Sequence, residues 1–496
     1  MKIELLGALD YKKLKDVLSE NVDNSDEIVA KIEEIENERR AQIVSSAARL
    51  SRFPGNVFEV LDIAENNPFE KNINFIKRVT KMGHDSITDH DYTVFAIQDV
   101  SPVIEQTIIA ERFCSFTIKS RREVDFSNVG FYVPDFHDEE GKILSNNEEI
   151  KEEYKTYMKS LFEKYSEIES LEVPKEDARF VLPYSYYSNI IMGVDAHTLR
   201  DMIVKFTKTK YSKIQELREF GEKLYEIAQN HISYIIDSID AVETVTADKV
   251  EEFLNTKIND EQKKYRVLDK VELLSNTSNI DDTILISSIM RRYQLNKDDA
   301  EKIYKKLTNE DINFKKELMK KIAFEGDKLE LTQVNFEFQI PLSYAVLTHL
   351  TRHRTHHIMV PDFVPNVDLT QYKIPPKIAN KCKEKFEEIF ANNLKVYKHF
   401  KEDYKICEED LVYFVLSGNT VNIVTNMDGR TVKHVLGLRE CTKAQWETRD
   451  MAINMHKEID KIESAQIYSM ILGPTCTTQG FCKEGKESCG RLGDVH

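Results

Sequence analysis

The feature that most constrains the fold of this 496-residue chain is an internal repeat. Residues 92–113 and residues 334–354 each read as an alternating apolar strand, a turn with Ser or Pro, and a helix that ends in a polar cluster. Residues 194–203 and 427–436 match each other in the same order and at a nearly constant offset. This agreement indicates a duplicated structural unit, because chance similarity between amphipathic segments does not preserve order and spacing.

The ends of the two copies are also visible in the sequence. IELLG at residues 3–7 resembles VELLS at residues 271–275, and the N-terminus predicts a short strand followed by a polar helix. In each copy a Lys/Glu-rich helical stretch, 147–173 or 376–405, leads into an apolar run that reads as a strand, RFVLP or YFVLS. We therefore predict a first copy over 1–240, a polar linker over 241–266, a second copy over 267–473 and a Cys-containing tail over 474–496.

Composition restricts the partners of the chain. The formal net charge is −16 and the sequence pI is near 5.4, which disfavours a nucleic-acid polymer or an anionic membrane as the main partner. A few local arginines can still hold a phosphorylated small molecule. The sequence has no apolar run near the ~20 residues of a membrane helix, and its N-terminus lacks the features of a signal peptide. We expect a cytoplasmic protein.

Two polar motifs stand out in the first copy. In the turn GHDSITDH, Gly83 permits a tight turn, and Ser86 resembles a helix N-cap that leaves backbone donors open to a phosphate. Further on, hydroxyl and guanidinium groups that suit a phosphate or a pyrimidine edge gather at the end of an apolar helix. These residues are Arg112, Ser115, Ser120, Arg121 and Arg122. The alternatives are a plain capped turn and a solvated basic turn.

The matching place in the second copy reads THLTRHRTHHIMV, residues 348–360. Arg352, His353 and Arg354 suit a diphosphate, and an imidazole can stack on a ring or donate to it. A zinc site is disfavoured here, because no carboxylate or Cys accompanies the histidines at metal-ligand spacing. We interpret this cluster as a site for a phosphorylated ligand.

The tail contains Cys476, Cys482 and Cys489 among several glycines. Glycine-rich loops let thiolates converge on one ion, which suggests zinc or an iron–sulfur cluster. Such a site needs a fourth ligand, for which we expect Cys441, with His496 as the alternative. The competing interpretation is a tail with unligated thiols.

Together these motifs resemble the flavin-dependent thymidylate synthase family. The similar segments are Ala47–Ser51, Gly83–Ser86, Asp89–His90, Arg179 in ARFVLP, Asp428–Arg430, Leu438–Arg439 and Ala444–Glu447. The family signature is Arg-His-Arg, two residues, Ser, one residue, Asn, two or three residues, Ser, one residue and Arg. The resemblance covers most of both copies.

The departures from this signature are nearly complementary. The first copy has Ala110-Glu111 in place of the opening Arg-His and Thr117 in place of Asn, but it keeps Arg112, Ser115, Ser120 and Arg122. The second copy keeps the opening Arg-His-Arg, whereas its later signature positions are His357, Met359, Asp362 and Val364. A further family Arg is Phe206 in the first copy and Arg439 in the second.

The resemblance implies an α+β fold, with two tandem copies of a domain in which a small, mainly antiparallel sheet is flanked by long helices. It implies reductive methylation of dUMP to dTMP, with FAD as cofactor and NADPH and methylenetetrahydrofolate as co-substrates. The resemblance also implies a homotetramer, in which each site is assembled from several subunits. A homodimer of this fused chain would therefore mimic the tetramer, with composite sites shared between the repeats.

The resemblance also assigns roles to residues of both copies. The catalytic residues would be Ser120, His84 and Arg439. The nucleotide would be bound by Ser115, Ser120, Arg122, Arg179 and Arg439. The cofactor would be bound by Ser51, His84, Ser86, Asp89, Arg352, His353, Arg354, Asp428, Arg430 and His434. Two other functions stay open, a flavoenzyme acting on another pyrimidine nucleotide and a nucleotide- or flavin-binding paralogue without turnover.

Overall fold

A computed structural model describes residues 1–6, 24–259, 268–363 and 368–490. The chain forms two compact units, the first comprising Met1–Lys264 and Glu384–Leu416 and the second comprising Tyr265–Lys383 and Ser417–His496. The polar helix expected after the first strand, together with Val364 and His496, lies outside the described residues. In the described ranges no helix combines the length and the apolar character that a membrane crossing requires.

Two four-stranded antiparallel sheets share one strand order. The strands are β1 (Lys2–Leu6), β2 (Tyr92–Val100), β3 (Cys114–Ile118), β4 (Ser188–Asp195), β5 (Glu272–Asn276), β6 (Asn335–Ser343), β7 (His357–Met359) and β8 (Thr420–Asp428). The order is β1-β2-β4-β3 in the first unit and β5-β6-β8-β7 in the second. Tyr92 pairs with Asp195, and Asn335 pairs with Asp428 in the same way. Strand order and register therefore confirm the predicted repeat.

Helices make up most of the remaining structure. In chain order the helices are α1 (Ser25–Leu50), α2 (Val57–Glu65), α3 (Phe69–Lys81), α4 (Pro102–Ile109), α5 (Asn147–Ser170), α6 (Lys175–Ala178), α7 (Ala196–Lys208), α8 (Gln215–His231), α9 (Ile236–Asp240), α10 (Lys249–Asn255), α11 (Ile280–Tyr293), α12 (Lys297–Glu310), α13 (Phe314–Lys320), α14 (Tyr344–Thr351), α15 (Pro376–Lys381), α16 (Lys383–Glu402), α17 (Glu408–Leu411), α18 (Gly429–Arg439), α19 (Trp446–Asp460), α20 (Gln466–Ser469) and α21 (Thr475–Thr478). The predicted α+β fold in two tandem copies is confirmed.

The helices that follow β4 and β8 begin in the same way. The Asp195 carboxylate accepts a hydrogen bond from the backbone N–H of Thr198 at 2.8 Å, and Asp428 accepts one from Thr431 at 2.7 Å. An oxygen in this position satisfies one of the free backbone donors at a helix N-terminus. Each Asp therefore fixes the start of its helix, α7 or α18.

A buried glutamate holds the start of α4 and of α14. The Glu216 carboxylate accepts hydrogen bonds from the backbone N–H of Ser101, at 2.8 Å, and from the Ser101 hydroxyl. Glu447 accepts the same two bonds from Ser343, at 2.7 and 2.6 Å. Because α4 and α14 lead into the polar clusters, these carboxylates fix the elements that carry the predicted site residues.

The apolar runs RFVLP and YFVLS were predicted as strands, and this prediction is wrong. Arg179–Val181 and Val412–Phe414 form short 3-10 turns, and one isolated bridge follows between Pro183 and Leu416. The residues of both turns are buried. A short apolar run without alternation does not distinguish a buried strand from a buried turn.

Residues 384–416 belong to the first compact unit, although the repeat assigns them to the second copy. In this unit the Phe400 ring centroid lies 5.9 Å from that of Phe136 and 5.0 Å from that of Phe414. Tyr154 lies 5.6 Å from Phe414. Helix α16 and the turn after it therefore complete an aromatic core of the first unit. The boundaries drawn around the polar linker stay a prediction.

Candidate functional site

Three arginines lie close together in the first unit, after β3 and after α6. Arg121 is buried, and its guanidinium lies 2.9 Å from the buried Glu105 carboxylate. The Nε of Arg122 lies 2.8 Å from the Glu176 carboxylate. The Nε of Arg179 donates to the backbone carbonyl of Glu176 at 3.1 Å. Glu176 therefore connects Arg122 and Arg179, whereas Arg121 has an acidic partner of its own.

Arg179 has an unusual environment for a charged side chain. It is 2% exposed, and its Nη2 has no hydrogen-bond partner in the part of the chain that the structure describes. Burial, with Arg121 and Arg122 nearby, lowers the pKa of Arg179 to about 10. A buried cation without an ion-pair partner is costly, and the attraction of the nearby Glu176 carboxylate offsets this cost only in part. This position is therefore suited to an anion that the protein itself does not supply.

The two predicted serines differ in position. The Ser120 hydroxyl accepts a hydrogen bond from the backbone N–H of Arg122 at 3.3 Å. Ser115, which is exposed on β3, accepts one from the Tyr92 hydroxyl at 3.1 Å. The structure therefore links Ser120 to Arg122, and through Glu176 to Arg179, while Ser115 is joined to the neighbouring part of the sheet.

A cavity of about 840 Å³ lies among α1, α3 and the turn before β2 in the first unit. Ser51, His84 and Ser86, all predicted to bind a cofactor, line it together. Its other polar lining residues are Arg49, Arg52, Arg78 and His90. Asp89, also predicted for this site, is not among the lining residues, and its carboxylate instead lies 3.0 Å from His197 Nδ1.

Three guanidinium groups line this cavity beside its apolar side chains. The guanidinium carbons of Arg49 and Arg78 lie 4.1 and 5.3 Å from the centroid of the Phe75 ring. Burial and the charge of Arg78 lower the pKa of Arg49. The Nη2 of Arg52 lies 3.3 Å from His84 Nε2. An aromatic ring flanked by guanidinium groups suits a ligand that combines a planar ring with phosphate groups.

A second cluster lies in the second unit. Arg439 donates from Nε to His353 Nε2 at 3.1 Å and from Nη2 to the carbonyl of His349 at 2.9 Å. The rings of His353 and His434 lie 5.5 Å apart. Burial, followed by the charge of Arg439, lowers the pKa of His353 to about 3. His353 is therefore neutral near pH 7 and accepts the Arg439 hydrogen bond.

The other predicted residues of the second unit are closer to solvent. Arg352 and Arg354 are exposed on either side of the buried His353, at the end of α14. Arg430 is exposed in the first turn of α18, and Asp428 caps that helix. Arg352 and Arg354 are thus surface residues, whereas Asp428 caps a helix.

The four predicted metal ligands do not form a metal site. Cys441, Cys476, Cys482 and Cys489 are all described, and in the described ranges no three His, Cys, Asp or Glu side chains are grouped so as to hold a metal ion. Spacing among glycines permits thiolates to converge but does not require it. The predicted zinc or iron–sulfur site is therefore not supported.

Comparison with known proteins identifies the family. The chain matches the model of the thymidylate synthase complementing protein family over residues 34–232 and again over residues 272–463. The chain belongs to this family. The two matches confirm the predicted tandem duplication of the thymidylate synthase complementing protein domain.

Relatives in this family agree with the predicted enzyme class. The flavin-dependent thymidylate synthase of Clostridium tetani is 29% identical over 215 residues, which cover 40% of this chain and 84% of that protein. That of Pyrococcus abyssi is 32% identical over 196 residues, which cover 36% and 77%. A solved UMP/dUMP methylase from Streptomyces cacaoi, bound with 5-Br dUMP, has 18% identity and a TM-score of 0.35, covering 42% of this chain and 93% of its own. The predicted class, flavin-dependent thymidylate synthase, is confirmed by the family and its curated relatives.

Sequence analysis of this family member missed several charged residues. Arg78 lies on a polar amphipathic helix, and nothing in its sequence separates it from a solvated residue. Glu105 and Glu216 are fully buried, and each lies in the first turn of a helix whose buried residues are otherwise mostly uncharged. A carboxylate in the apolar segment PVIEQTII was the available signal for Glu105, because a buried charge needs a partner.

Proposed function

We propose that this chain is an FAD-dependent thymidylate synthase that methylates dUMP reductively, with methylenetetrahydrofolate as carbon donor and NADPH as reductant. The observation that carries the proposal is the buried Arg179 guanidinium, which lies near Arg122 and forms no ion pair with a carboxylate among the described residues. A phosphate dianion supplies the charge that this position lacks.

In this proposal the first copy supplies the groups that face the nucleotide. Glu176 holds Arg122 through its carboxylate and Arg179 through its backbone carbonyl, which keeps the two guanidinium groups close to each other. The ion pair with Glu105 keeps Arg121 in the interior, so that Arg121 stabilises the fold beneath the site. The Ser120 hydroxyl, next to Arg122, is then near the uracil ring.

The cavity of the first unit supports flavin binding. FAD combines apolar rings with a diphosphate, and the cavity combines Phe75 with the guanidinium groups of Arg49 and Arg78. His84, Ser51 and Ser86 add polar contacts. Bound flavin supplies the redox step, and the protein supplies binding, orientation and electrostatics.

The second copy is proposed to contribute Arg352, Arg354 and the His353–Arg439 pair. Neutral His353 accepts the Arg439 Nε hydrogen, and the His349 carbonyl accepts from Nη2, so the guanidinium plane is fixed. A fixed guanidinium stabilises negative charge on a pyrimidine oxygen better than a mobile one, because no reorganisation is needed. Each complete site then combines residues of a first copy with residues of a second copy, and a homodimer of this chain corresponds to the family tetramer.

One observation bears on the number of nucleotide sites. Alignment of RFVLP with YFVLS places Tyr413 in the second copy where the first copy has Arg179. The Tyr413 side chain is buried and donates to the Glu216 carboxylate at 3.2 Å. A tyrosine in this position brings no positive charge to a phosphate. We therefore expect one dUMP per chain.

Binding and turnover measurements with matched variants test the proposal. Arg122→Ala should weaken dUMP binding by about tenfold or more, because a hydrogen bond to a charged group is lost, and should leave FAD binding unchanged. Arg354→Ala should weaken FAD binding and leave dUMP binding unchanged. Arg200→Ala is the control, because Arg200 pairs with Asp201 at 2.6 Å in the first unit.

The outcomes separate the candidate functions. Formation of dTMP from dUMP, methylenetetrahydrofolate and NADPH, with rescue of a thymidine-requiring strain, supports the proposal. A wild-type protein that stays colourless with added FAD contradicts it. Flavin binding with methylation of a different pyrimidine nucleotide would instead identify the second function considered from the sequence.

A further inference from the structure

Arg439 lies at the end of a helix, where the backbone has the fewest partners of its own. It is the last residue of α18, and Glu440 follows as the residue that ends the helix. The Arg439 guanidinium donates to His353 and to the carbonyl of His349, but these bonds orient only the end of the side chain. The last carbonyls of a helix have no partner within it, so the last turn depends on contacts with neighbouring elements.

Helix α19 binds Glu440 at two places. The Glu440 carboxylate lies 2.8 Å from His456 Nδ1, and the Glu440 backbone carbonyl accepts a hydrogen bond from Arg449 Nε at 3.1 Å. The other ring nitrogen of His456 lies 3.0 Å from the Ser469 hydroxyl oxygen, and that hydroxyl donates to Asp460. His456 therefore connects the residue after Arg439 to both α19 and α20.

The contact between His456 and Glu440 is strong because it is charged and partly shielded from water. The side chains of Glu440 and His456 are 12% and 21% exposed. Burial lowers the pKa of His456, but the hydrogen bond and charge of Glu440, together with Asp460, raise it above its usual value overall. A hydrogen bond between ionised groups is about twice as strong as one between neutral groups.

The first copy differs from the second at all the positions concerned. Because Asp195 and Asp428 cap α7 and α18 in the same way, these two helices can be matched residue by residue. Glu216 and Glu447 make the same bonds near the starts of α8 and α19, so these helices can be matched as well. The matched pairs are Phe206 with Arg439, Thr207 with Glu440, and Tyr225 with His456.

The residues of the first copy make other contacts. Phe206 is buried, and the Thr207 hydroxyl donates to a carbonyl of its own helix at 2.7 Å. The Tyr225 hydroxyl donates to Asp240 at 2.9 Å. The copy with phenylalanine in place of Arg439 thus also has neither the carboxylate nor the imidazole. This joint replacement indicates that the imidazole–carboxylate pair serves the arginine rather than the fold that both copies share.

We propose that His456 is a positioning residue for Arg439 and acts through Glu440, whose place in the chain fixes the last turn of α18. The inference rests on the proposed function, in which Arg439 stabilises negative charge on the pyrimidine. His456 itself needs no contact with the nucleotide. A catalytic group misplaced by about 1 Å can cost about 100-fold in rate, so a residue that holds its backbone affects turnover from a distance.

Steady-state kinetics of the full-length, FAD-loaded protein test the proposal. His456→Leu and Glu440→Ala should each lower kcat by about tenfold or more. The KM for dUMP should change less, because a fixed guanidinium acts mainly on charge that develops in the transition state. The double variant should be no slower than the slower single variant, since both changes break one contact.

Two further variants separate positioning from a general loss of stability. His456→Asn keeps a donor close to the place of Nδ1 and should recover most of the kcat that His456→Leu loses. Tyr225→Phe changes the matched residue of the first copy and should leave kcat unchanged. Thermal unfolding checks each fold, and Glu440→Ala carries the test if His456→Leu does not fold. Equal losses in His456→Asn and His456→Leu, or additive losses in the double variant, would overturn the proposal.

The ring of His353 reports the position of Arg439 without turnover, because Arg439 Nε donates to His353 Nε2. In protein labelled with ¹⁵N-histidine, Glu440→Ala and His456→Leu should shift the Nε2 signal of His353, and Tyr225→Phe should not. An unmoved signal in both second-copy variants would also overturn the proposal. If the signal moves as expected but the wild type forms no dTMP, the proposed function fails and the positioning of Arg439 stands.

Discussion

Replacement of Arg179 by methionine distinguishes the effect of this side chain on the stability of the fold from its effect on dUMP binding. Burial and the neighbouring Arg121 and Arg122 lower the pKa of Arg179 from 12.5 to about 10, which corresponds to about 3 kcal/mol of unfavourable free energy for the charged side chain. At pH 7, below both values, the whole penalty is present. Loss of the bond to the Glu176 carbonyl offsets about 1 kcal/mol. Arg179→Met should therefore raise the unfolding free energy of the ligand-free protein by about 1 to 2 kcal/mol.

Urea unfolding without nucleotide and calorimetry with dUMP measure the two effects. The dUMP affinity of Arg179→Met should fall by about 10- to 100-fold, because a charge-assisted hydrogen bond is lost. Arg121→Met is the matched control. This substitution leaves the buried Glu105 carboxylate with the Ser188 hydroxyl but without its cation, and should lower the unfolding free energy by about 3 to 5 kcal/mol. Equal destabilisation by the two substitutions, or an unchanged dUMP affinity in Arg179→Met, would refute this reasoning.

Three further predictions concern buried ionisable groups. Burial raises the pKa of Glu216 from 4.5 to about 7, so the folded protein keeps a proton that the unfolded chain releases between these pH values. The unfolding free energy should therefore fall by about 3 kcal/mol from pH 4.5 to pH 7, relative to that of Glu216→Gln. Urea unfolding at each pH measures this difference. Glu447→Gln, which weakens the cap on Ser343, should reduce FAD affinity by about fivefold in fluorescence titrations without a matching loss of dUMP binding. The ring of His353, whose pKa burial and Arg439 lower to about 3, should not titrate between pH 5 and 8 in NMR spectra.

Features that depend on local pattern were predictable from the sequence. Alternating apolar residues predicted β2 and β6, and the recurrence of the blocks predicted the duplicated sheet. Gly83 was expected to permit a tight turn, and its φ is 84°. Ser51, which is distant in sequence from His84 and Ser86, does line one cavity with them.

Features that depend on long-range pairing were not predictable. Arg121 and Arg179 both read as basic residues near apolar segments, and only the position of Glu105 makes the first a structural ion pair. Arg179, by contrast, forms no ion pair with a carboxylate in the part of the chain that the structure describes, and no local sequence pattern records this difference. The spacing of the tail cysteines permits a metal site, but whether the thiolates meet at one ion depends on the fold of the tail, which the spacing alone does not determine.

The assignment of residues 384–416 to the first unit has a consequence for the history of the gene. A truncated product that ends before residue 265 lacks Phe400 and Phe414, and so leaves Phe136 and Tyr154 without part of their aromatic core. Such a product exposes apolar surface and is prone to aggregate. Splitting of the gene between the copies is therefore disfavoured, because the first copy needs residues 384–416 from the second, and both copies stay in one reading frame.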